Sequence, residues 1–295
     1  MTPRHAPTIW DGHTLTWGEA THVMGILNIT PDSFSLDGIA FADASREEIV
    51  RTAVDRARDM VRDGATLIDV GGESTRPSTE RTEPLPAQIE RERVVPVIEA
   101  LAATLPAHVL LSIDTYKATV AAAALDAGAC IVNDIWGFHA DPEMAALVAE
   151  RGTPVVLMSN LRGQTRREPV SDVIRQLSAC VEKALVAGIA WDKIILDPGF
   201  GFGLVGADNL RVMGRLAELH ALGRPLLVGT SRKAHIGLVM GTPVTDRVEG
   251  TAATVALCIA GGADIVRVHD VRQMTRVARM ADAVVRGWTP ERSGA

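Results

Sequence analysis

Eight short apolar runs are spaced along the chain, and each ends in polar or small residues. The runs are rich in Val, Ile and Leu, which is typical of parallel strands buried on both faces. They cover 22–30, 66–72, 109–115, 129–135, 153–159, 193–199, 225–231 and 263–270. The pattern therefore predicts eight buried strands.

Longer amphipathic segments separate the runs and predict helices. The first begins at Ser45, which with Glu48 forms a capping-box signature, and ends before Gly64. The predicted helices cover 45–63, 88–104, 117–126, 142–151, 173–187, 207–222, 250–260 and 271–286. The alternation of strands and helices predicts an α/β fold, a single (β/α)₈ TIM barrel, with an open doubly wound sheet as the alternative.

The residues before the first run form a separate pattern. Residues 8–18 contain Trp10 and Trp17 and alternate around Asp11-Gly12, which predicts a short hairpin that plugs one end of the barrel. We therefore divide the chain into a hairpin segment (1–21), a barrel (22–288) and a tail (289–295).

Composition narrows the class of protein. The 295 residues are 47% hydrophobic but only 4% aromatic, so the core is aliphatic. A formal net charge of -6 argues against a nucleic-acid partner. The three cysteines lie far apart in apolar stretches and are expected to be reduced thiols. The sequence has neither a signal-like run nor a run that spans a membrane, so we expect a cytoplasmic protein without a membrane partner.

Polar residues at the carboxyl ends of the predicted strands indicate a site, because barrel enzymes place their chemistry there. Asp114, Asn133 and Asp197 end the third, fourth and sixth strands, and Lys233 follows the seventh. Carboxylates accept hydrogen bonds and an amide both accepts and donates, so together they suit a flat heterocycle with N–H donors, such as an aminopyrimidinone. Helix capping is the alternative role for each residue taken alone.

A second group of residues indicates an anion site. Arg267 and His269 alternate on the eighth strand and so face the same side, where they suit a phosphate. The alternative is that Arg267 pairs with an acidic neighbour. Asn28 ends the first strand, and its amide oxygen suits Mg²⁺ that is held mainly by substrate phosphates and water.

Two long loops and one glycine-rich run complete the candidate site. The loops at 30–41 and 71–84 are polar and rich in Gly and Pro, as lids often are, and Thr75 and Arg76 would lie over a leaving anion. The run 199–203 is expected to let the backbone approach a ring closely.

Seven segments resemble the signatures of the dihydropteroate synthases, in the same order along the chain. They are 24–35 (MGILNITPDSFS), 68–77 (IDVGGESTRP), 112–117 (SIDTYK), 132–135 (VNDI), 196–203 (LDPGFGFG), 231–233 (SRK) and 267–269 (RVH). The resemblance implies that 4-aminobenzoate displaces pyrophosphate from 6-hydroxymethyl-7,8-dihydropterin diphosphate to give 7,8-dihydropteroate, with Mg²⁺ as cofactor and a homodimer formed by the late helices.

The resemblance also implies a role for individual residues. The pterin-binding residues would be Asp114, Asn133, Asp197 and Lys233. The pyrophosphate and Mg²⁺ would be held by Asn28, Arg267 and His269, which together with Lys233 form the implied catalytic set. The residues that complete the aminobenzoate site would be Phe34, Thr75 and Arg76.

The chain departs from the family pattern at Ser159, Leu204 and Ala234, where the family usually has His, Lys and Ser. These departures put affinity for the second substrate in question, and we expect the neighbouring His235 to be exposed rather than to compensate. Two other readings stay open: a methyltetrahydrofolate-dependent methyltransferase, and a paralogue that binds pterin without turnover.

Overall fold

The structure, a computed structural model, describes residues 5–30, 45–74, 84–165 and 167–288. A two-stranded antiparallel hairpin precedes eight parallel strands that alternate with helices. The strands are β1 (Thr8–Trp10), β2 (His13–Leu15), β3 (His22–Asn28), β4 (Leu67–Gly71), β5 (Leu110–Asp114), β6 (Ile131–Asp134), β7 (Val155–Met158), β8 (Ile194–Asp197), β9 (Leu227–Val228) and β10 (Ile265–Val268).

The helices surround the strands. They are α1 (Arg46–Arg62), α2 (Ala87–Thr104), α3 (Ala118–Asp126), α4 (Met144–Arg151), α5 (Pro169–Val186), α6 (Ala207–Gly214), α7 (Ala234–Met240), α8 (Val248–Ala260) and α9 (Val271–Arg286), with short 3₁₀ turns at Trp191–Lys193 and Leu216–Leu222. None of the helices within the described ranges is long and apolar enough to cross a membrane.

The strand order confirms the predicted barrel. The parallel strands are hydrogen-bonded in the order β8-β7-β6-β5-β4-β3-β10-β9, and a bridge between Leu196 and Leu226 joins β8 to the start of β9. The ring is therefore nearly closed, with its weakest seam beside the two-residue strand β9.

Three helix predictions need correction. The predicted helix 207–222 is two elements, because α6 ends at Gly214 and Arg215 leaves the helical conformation before the 3₁₀ turn. Helix α5 begins at Pro169, four residues earlier than predicted, where the Glu168 side chain accepts from the Ser171 N–H. Helix α7 is missing from the predicted ranges, because seven residues show too little periodicity to set its bounds.

An apolar layer fills the amino-terminal end of the barrel. It takes one inward residue from every barrel strand: Met24, Leu67, Leu110, Ile131, Val156, Ile195, Leu227 and Ile265. Trp10, Leu15 and Trp17 of the hairpin segment pack against this layer, so the hairpin plugs the barrel as predicted.

Residues far apart in the chain hold this end together. The Trp17 indole N–H donates to Thr8 Oγ1 at 3.2 Å, and that hydroxyl donates to the carbonyl of Asp192 at 2.6 Å. The Thr21 hydroxyl donates to Asp282 of α9 at 2.7 Å. The hairpin segment is thus tied to the second half of the barrel.

Candidate active site

The barrel interior changes from apolar to polar within two residues. Inward positions recur every second residue along a strand, so the residues two positions beyond the apolar layer form the next layer. Five of these residues are polar: Asp69, Ser112, Asn133, Asp197 and Arg267. Asn28, Gly71 and Asp114 come two residues later on their strands and lie side by side in register. The carboxyl end of the barrel is therefore a polar bowl above an apolar floor.

Arg267 links three strands across this bowl. Its Nε donates to Asp69 Oδ2 at 2.5 Å, and its Nη2 donates to Asp114 Oδ2 at 2.6 Å. The Asn133 amide donates to the same Asp69 oxygen at 3.0 Å. Arg267 therefore does pair with acidic neighbours, which was the alternative to an anion-binding role in the sequence analysis. A guanidinium has five N–H donors, and these two bonds leave others for an anion.

Burial sets the electrostatics of the bowl. Burial raises the pKa of Asp114 to about 7; the positive charge of Arg267 opposes this rise and the negative charge of Asp69 adds to it. Burial likewise raises the pKa of Asp197, against the charge of Lys233. Burial lowers the pKa of Lys233 to about 8, against the charge of Asp197. Burial therefore disfavours the charged form of the carboxyl groups and of the lysine alike.

Several buried oxygens at this end have no hydrogen-bond partner among the described residues. They include Asp69 Oδ1, Asp114 Oδ1, Ser112 Oγ and Ser159 Oγ. An unsatisfied buried polar group costs about 1–3 kcal/mol. A ligand rich in N–H donors would satisfy the two carboxylate oxygens, which agrees with the heterocycle predicted from the sequence.

The turn after β9 presents Lys233 to the bowl. Its Nζ donates to the carbonyl of Phe200 and lies 4.7 Å from the centre of the Phe202 ring. The Arg247 guanidinium holds the turn by donating to the carbonyls of Arg232 and Lys233, at 2.9 and 3.3 Å. Lys233 is therefore fixed by contacts on both sides.

The glycines at 199 and 203 allow close packing between two loops. Gly199 has a φ of 73°, and a Cβ there would lie 1.9 Å from the carbonyl oxygen of Ser159. A Cβ at Gly203 would lie 2.2 Å from the carbonyl carbon of Leu161. Glycine is required because the loop after β8 packs directly on the backbone of the loop after β7.

The predicted anion residues lie on β3 and at the end of β10. His269 Nδ1 is 2.9 Å from Ser231 Oγ, which fixes the ring. A Cβ placed on Gly71 would lie 3.6 Å from Asn28 Oδ1 and 3.7 Å from Asp114 Oδ2, so both oxygens border the space above Gly71. Hard oxygens of this kind suit a hydrated Mg²⁺. Within the described ranges, no group of three His, Cys, Asp or Glu side chains is arranged to hold a metal.

The structure places the departures from the family pattern in different surroundings. Ser159 is fully buried, Leu204 is part of the core, and Ala234 is exposed at the start of α7. The expectation that His235 is exposed was wrong: it is 3% exposed, packs on the Phe200 ring, and burial lowers its pKa to about 4. The short helix α7 turns this residue inward onto the Phe200 ring, and seven residues show too little periodicity to predict which face of the helix is buried.

Three predicted site residues, Phe34, Thr75 and Arg76, lie outside the described residues. Of the others, Asp114, Asn133 and Arg267 meet through Asp69, whereas Asp197 and Lys233 influence one another through their charges. Sequence reasoning missed Asp69 as a site residue. The sequence did contain a signal for it. Asp69 lies two residues after the inward-facing Leu67, just as Asn133 lies two residues after the inward-facing Ile131, so both face the barrel interior.

Comparison with known proteins gives the family. A family model described as "Pterin binding enzyme" matches residues 24–269. The dihydropteroate synthase of Bacillus subtilis is 46% identical over 271 residues, which are 92% of this chain and 91% of the relative. A crystal structure of the Clostridium difficile enzyme in the presence of pteroic acid is 42% identical, has a TM-score of 0.84 and covers 94% of this chain and 100% of its own. The Xanthomonas albilineans enzyme with 4-aminobenzoic acid is 37% identical with a TM-score of 0.85, covering 94% and 97%. With its motif residues gathered at one end of the barrel and matches that span most of its length, the chain belongs to the dihydropteroate synthase family of pterin-binding enzymes.

Proposed function

We propose that this protein is a transferase that condenses 6-hydroxymethyl-7,8-dihydropterin diphosphate with 4-aminobenzoate to give 7,8-dihydropteroate and pyrophosphate. The observation that carries this proposal is the bowl in which Arg267 joins Asp69 and Asp114 while Asp197 and Lys233 lie nearby. The relatives solved with pteroic acid and 4-aminobenzoic acid support the same reaction.

Asp114, Asn133, Asp197 and Lys233 bind the pterin in this proposal. The aminopyrimidinone edge carries several N–H donors, which the carboxylates of Asp114 and Asp197 accept. Lys233 donates to a ring carbonyl or nitrogen, and burial, which lowers its pKa to about 8, has already removed water from its ammonium before a ligand arrives. Burial makes these contacts strong because no water competes with them.

Arg267, His269 and Asn28 act on the leaving group. The bond between the pterin methylene carbon and the diphosphate oxygen breaks, and the electron pair leaves with pyrophosphate. The guanidinium N–H groups of Arg267 and the His269 ring hold this developing negative charge. The amine of 4-aminobenzoate adds its lone pair to the methylene carbon from the opposite face and then loses a proton to solvent, so no covalent enzyme intermediate is needed.

Asn28 is the residue we assign to Mg²⁺. Its Oδ1 would supply one protein ligand, and the remaining ligands would be diphosphate oxygens and water. The metal would supply neutralisation of diphosphate charge when bound. The neighbouring Asp114 carboxylate, which borders the same space above Gly71, would favour a cation there.

We also propose that the protein forms a homodimer through α7, α8 and α9. Helix α8 packs against both α7 and α9. The three helices expose apolar side chains that include Leu238, Leu257, Met280 and Val284, and the exposed fractions of Leu257 and Val284 are 62% and 72%. Clustered apolar side chains on a surface are typical of a protein interface. A cytoplasmic location is the related proposal, which the three free thiols support.

The test is to measure pyrophosphate and dihydropteroate together from the purified protein given dihydropterin diphosphate, 4-aminobenzoate and Mg²⁺, with each component omitted in turn. We expect stoichiometric formation of both products only in the complete mixture. Calorimetric binding of the pterin diphosphate without dihydropteroate would refute the synthase and favour a pterin-binding paralogue without turnover.

A further inference from the structure

A buried ionic cluster lies at the carboxyl ends of β4 and β5, beside the polar bowl. Lys117 Nζ donates to Glu73 Oε2 at 2.5 Å and also to Glu90 Oε2. The side chains of Lys117, Glu73 and Glu90 are 13%, 10% and 1% exposed. The Tyr116 ring covers the ammonium, with its centre 4.6 Å from Nζ, and its hydroxyl also donates to Glu73. The proposed pterin, pyrophosphate and Mg²⁺ contacts use none of these residues.

The hydrogen bonds of this cluster keep its groups charged despite burial. Burial disfavours the ammonium of Lys117, but the hydrogen bonds to Glu73 and Glu90 outweigh it and raise the pKa. Burial also disfavours the carboxylate of Glu73, but the bonds from the Leu85 N–H and from Lys117 outweigh it and lower the pKa. A buried ion pair adds little net stability, whereas a buried network whose groups are bonded to one another fixes the local geometry. We therefore expect the cluster to set the position of the chain around it.

Glu73 joins the two ends of the connection between β4 and α2. Its Oε1 accepts from the Leu85 N–H at 2.8 Å, so one side chain links two residues 12 positions apart. Lys117 in turn fixes the Glu73 carboxylate to Glu90 of α2. The backbone of Gly72 packs so closely on this helix that a Cβ there would lie 2.9 Å from Glu90 Cγ. Both ends of the connection are thus held against the first turns of α2.

We propose that Glu73 is a positioning residue for the acceptor half of the reaction, because it fixes the two chain ends between which Thr75 and Arg76 lie. This inference rests on the proposed function, since the family resemblance assigns Thr75 and Arg76 to the aminobenzoate site. Glu73 contacts no substrate in this role and acts through the backbone that follows it. The residues assigned to the pterin are on or after β5, β6, β8 and β9, so pterin binding should not depend on Glu73.

The test measures acceptor use and pterin binding separately in the wild type, Glu73→Ala and Glu73→Gln. Glu73→Ala removes the acceptor of the Leu85 N–H, while Lys117 keeps Glu90 as its partner, so no isolated buried charge is left to unfold the protein. We expect KM for 4-aminobenzoate to rise by roughly 10-fold or more in Glu73→Ala. The kcat and the Kd for 6-hydroxymethyl-7,8-dihydropterin should change by less than about twofold. Glu73→Gln should lie between the two, because it keeps an acceptor oxygen for Leu85 but loses the ion pair.

Exchange of the Leu85 amide hydrogen is a second measurement, and it does not depend on catalysis. Loss of the acceptor should speed this exchange by roughly 5- to 10-fold in Glu73→Ala, with a smaller change in Glu73→Gln. Glu99→Gln is the matched control, since it removes a carboxylate from an exposed position on α2. It should change neither KM for 4-aminobenzoate nor the exchange of Leu85.

Three results would overturn the positioning role. An equal loss of pterin affinity in Glu73→Ala would mean that the residue supports the barrel as a whole. An unchanged KM for 4-aminobenzoate, or an unchanged rate of Leu85 exchange, would break the link between the cluster and the acceptor. If the wild type forms no dihydropteroate, the proposed function fails on its own. Leu85 exchange and calorimetric binding of 4-aminobenzoate, in the presence of pyrophosphate and Mg²⁺, then decide the role of Glu73 by the same comparison.

Discussion

Asp69 should control the ionisation of Asp114, because both carboxylates are held by the one guanidinium of Arg267. Asp69 is fully buried, and its charge is one of the causes that raise the pKa of Asp114 to about 7. At a separation of roughly 5 Å and an effective dielectric constant of about 20, two like charges repel by about 3 kcal/mol. That energy corresponds to a pKa difference of about 2. The substitution Asp69→Asn should therefore lower the pKa of Asp114 to roughly 5.

Binding of 6-hydroxymethyl-7,8-dihydropterin, which lacks the diphosphate, reports this ionisation. The pterin N–H groups need the ionised form of Asp114, so affinity should rise with pH through the pKa of that carboxyl. With a pKa of about 7, the wild type should bind roughly eightfold more tightly at pH 7.5 than at pH 6, whereas Asp69→Asn should show less than about a 1.5-fold difference. Calorimetry at the two pH values measures both ratios.

Two further variants make the result specific. Asp114→Asn should abolish the eightfold rise in affinity between pH 6 and 7.5, which assigns that rise to this residue. Asp126→Asn should leave the dependence unchanged, because Asp126 is exposed and pairs with Arg151 on the outer surface. An undiminished eightfold ratio in Asp69→Asn would refute the coupling of the two carboxylates.

Four other substitutions, one of them a control, test the site, its support and the surface. Arg267→Ala should lower the free energy of unfolding by about 3–5 kcal/mol, since two buried carboxylates lose their cation; a loss under about 1 kcal/mol in urea unfolding would contradict the buried network. Gly237→Ala places a Cβ 2.2 Å from the Arg247 guanidinium and should destabilise by about 1–3 kcal/mol and raise KM for the pterin substrate. Gly214→Ala, which meets nothing within 4 Å, should be neutral or stabilising by up to about 1 kcal/mol in the same unfolding experiment. Val284→Glu should convert the proposed dimer to a monomer in light scattering, and an unchanged dimer mass would rule out this face.

The fold could be predicted from the sequence because each barrel strand is buried on both faces and so reads as a continuous apolar run. The elements that could not be predicted are those whose length or exposure breaks the pattern. Helix α7 has seven residues and exposes Leu238 and Val239, so it shows no buried stripe. The break after Gly214 lies within a segment that is helical in pattern on both sides.

The candidate site was predictable in part, for a similar reason. Asp114, Asn133 and Asp197 end their strands abruptly, and this position in the pattern is visible without a structure. The link between Asp69 and Arg267 joins residues 198 positions apart and exists only once the ring of strands has formed. Likewise, the close packing of the loop after β8 on the loop after β7 depends on how the two loops cross, which is set by Gly199 and Gly203 rather than by any local pattern.

The long-range hydrogen bonds between the hairpin and the barrel affect how the protein folds during synthesis. Thr8 bonds to a residue 184 positions later in the chain, and Thr21 bonds to one 261 positions later. A ribosome adds about 5–20 residues per second, so the hairpin waits for roughly ten seconds or more for its first partner and longer for α9. Trp10 and Trp17 are almost completely buried in the folded protein, but during this interval they are exposed to other chains. Nascent chains that stall before α9 should therefore depend most on chaperones, and the final burial of Trp17 should mark the last step of assembly rather than the first.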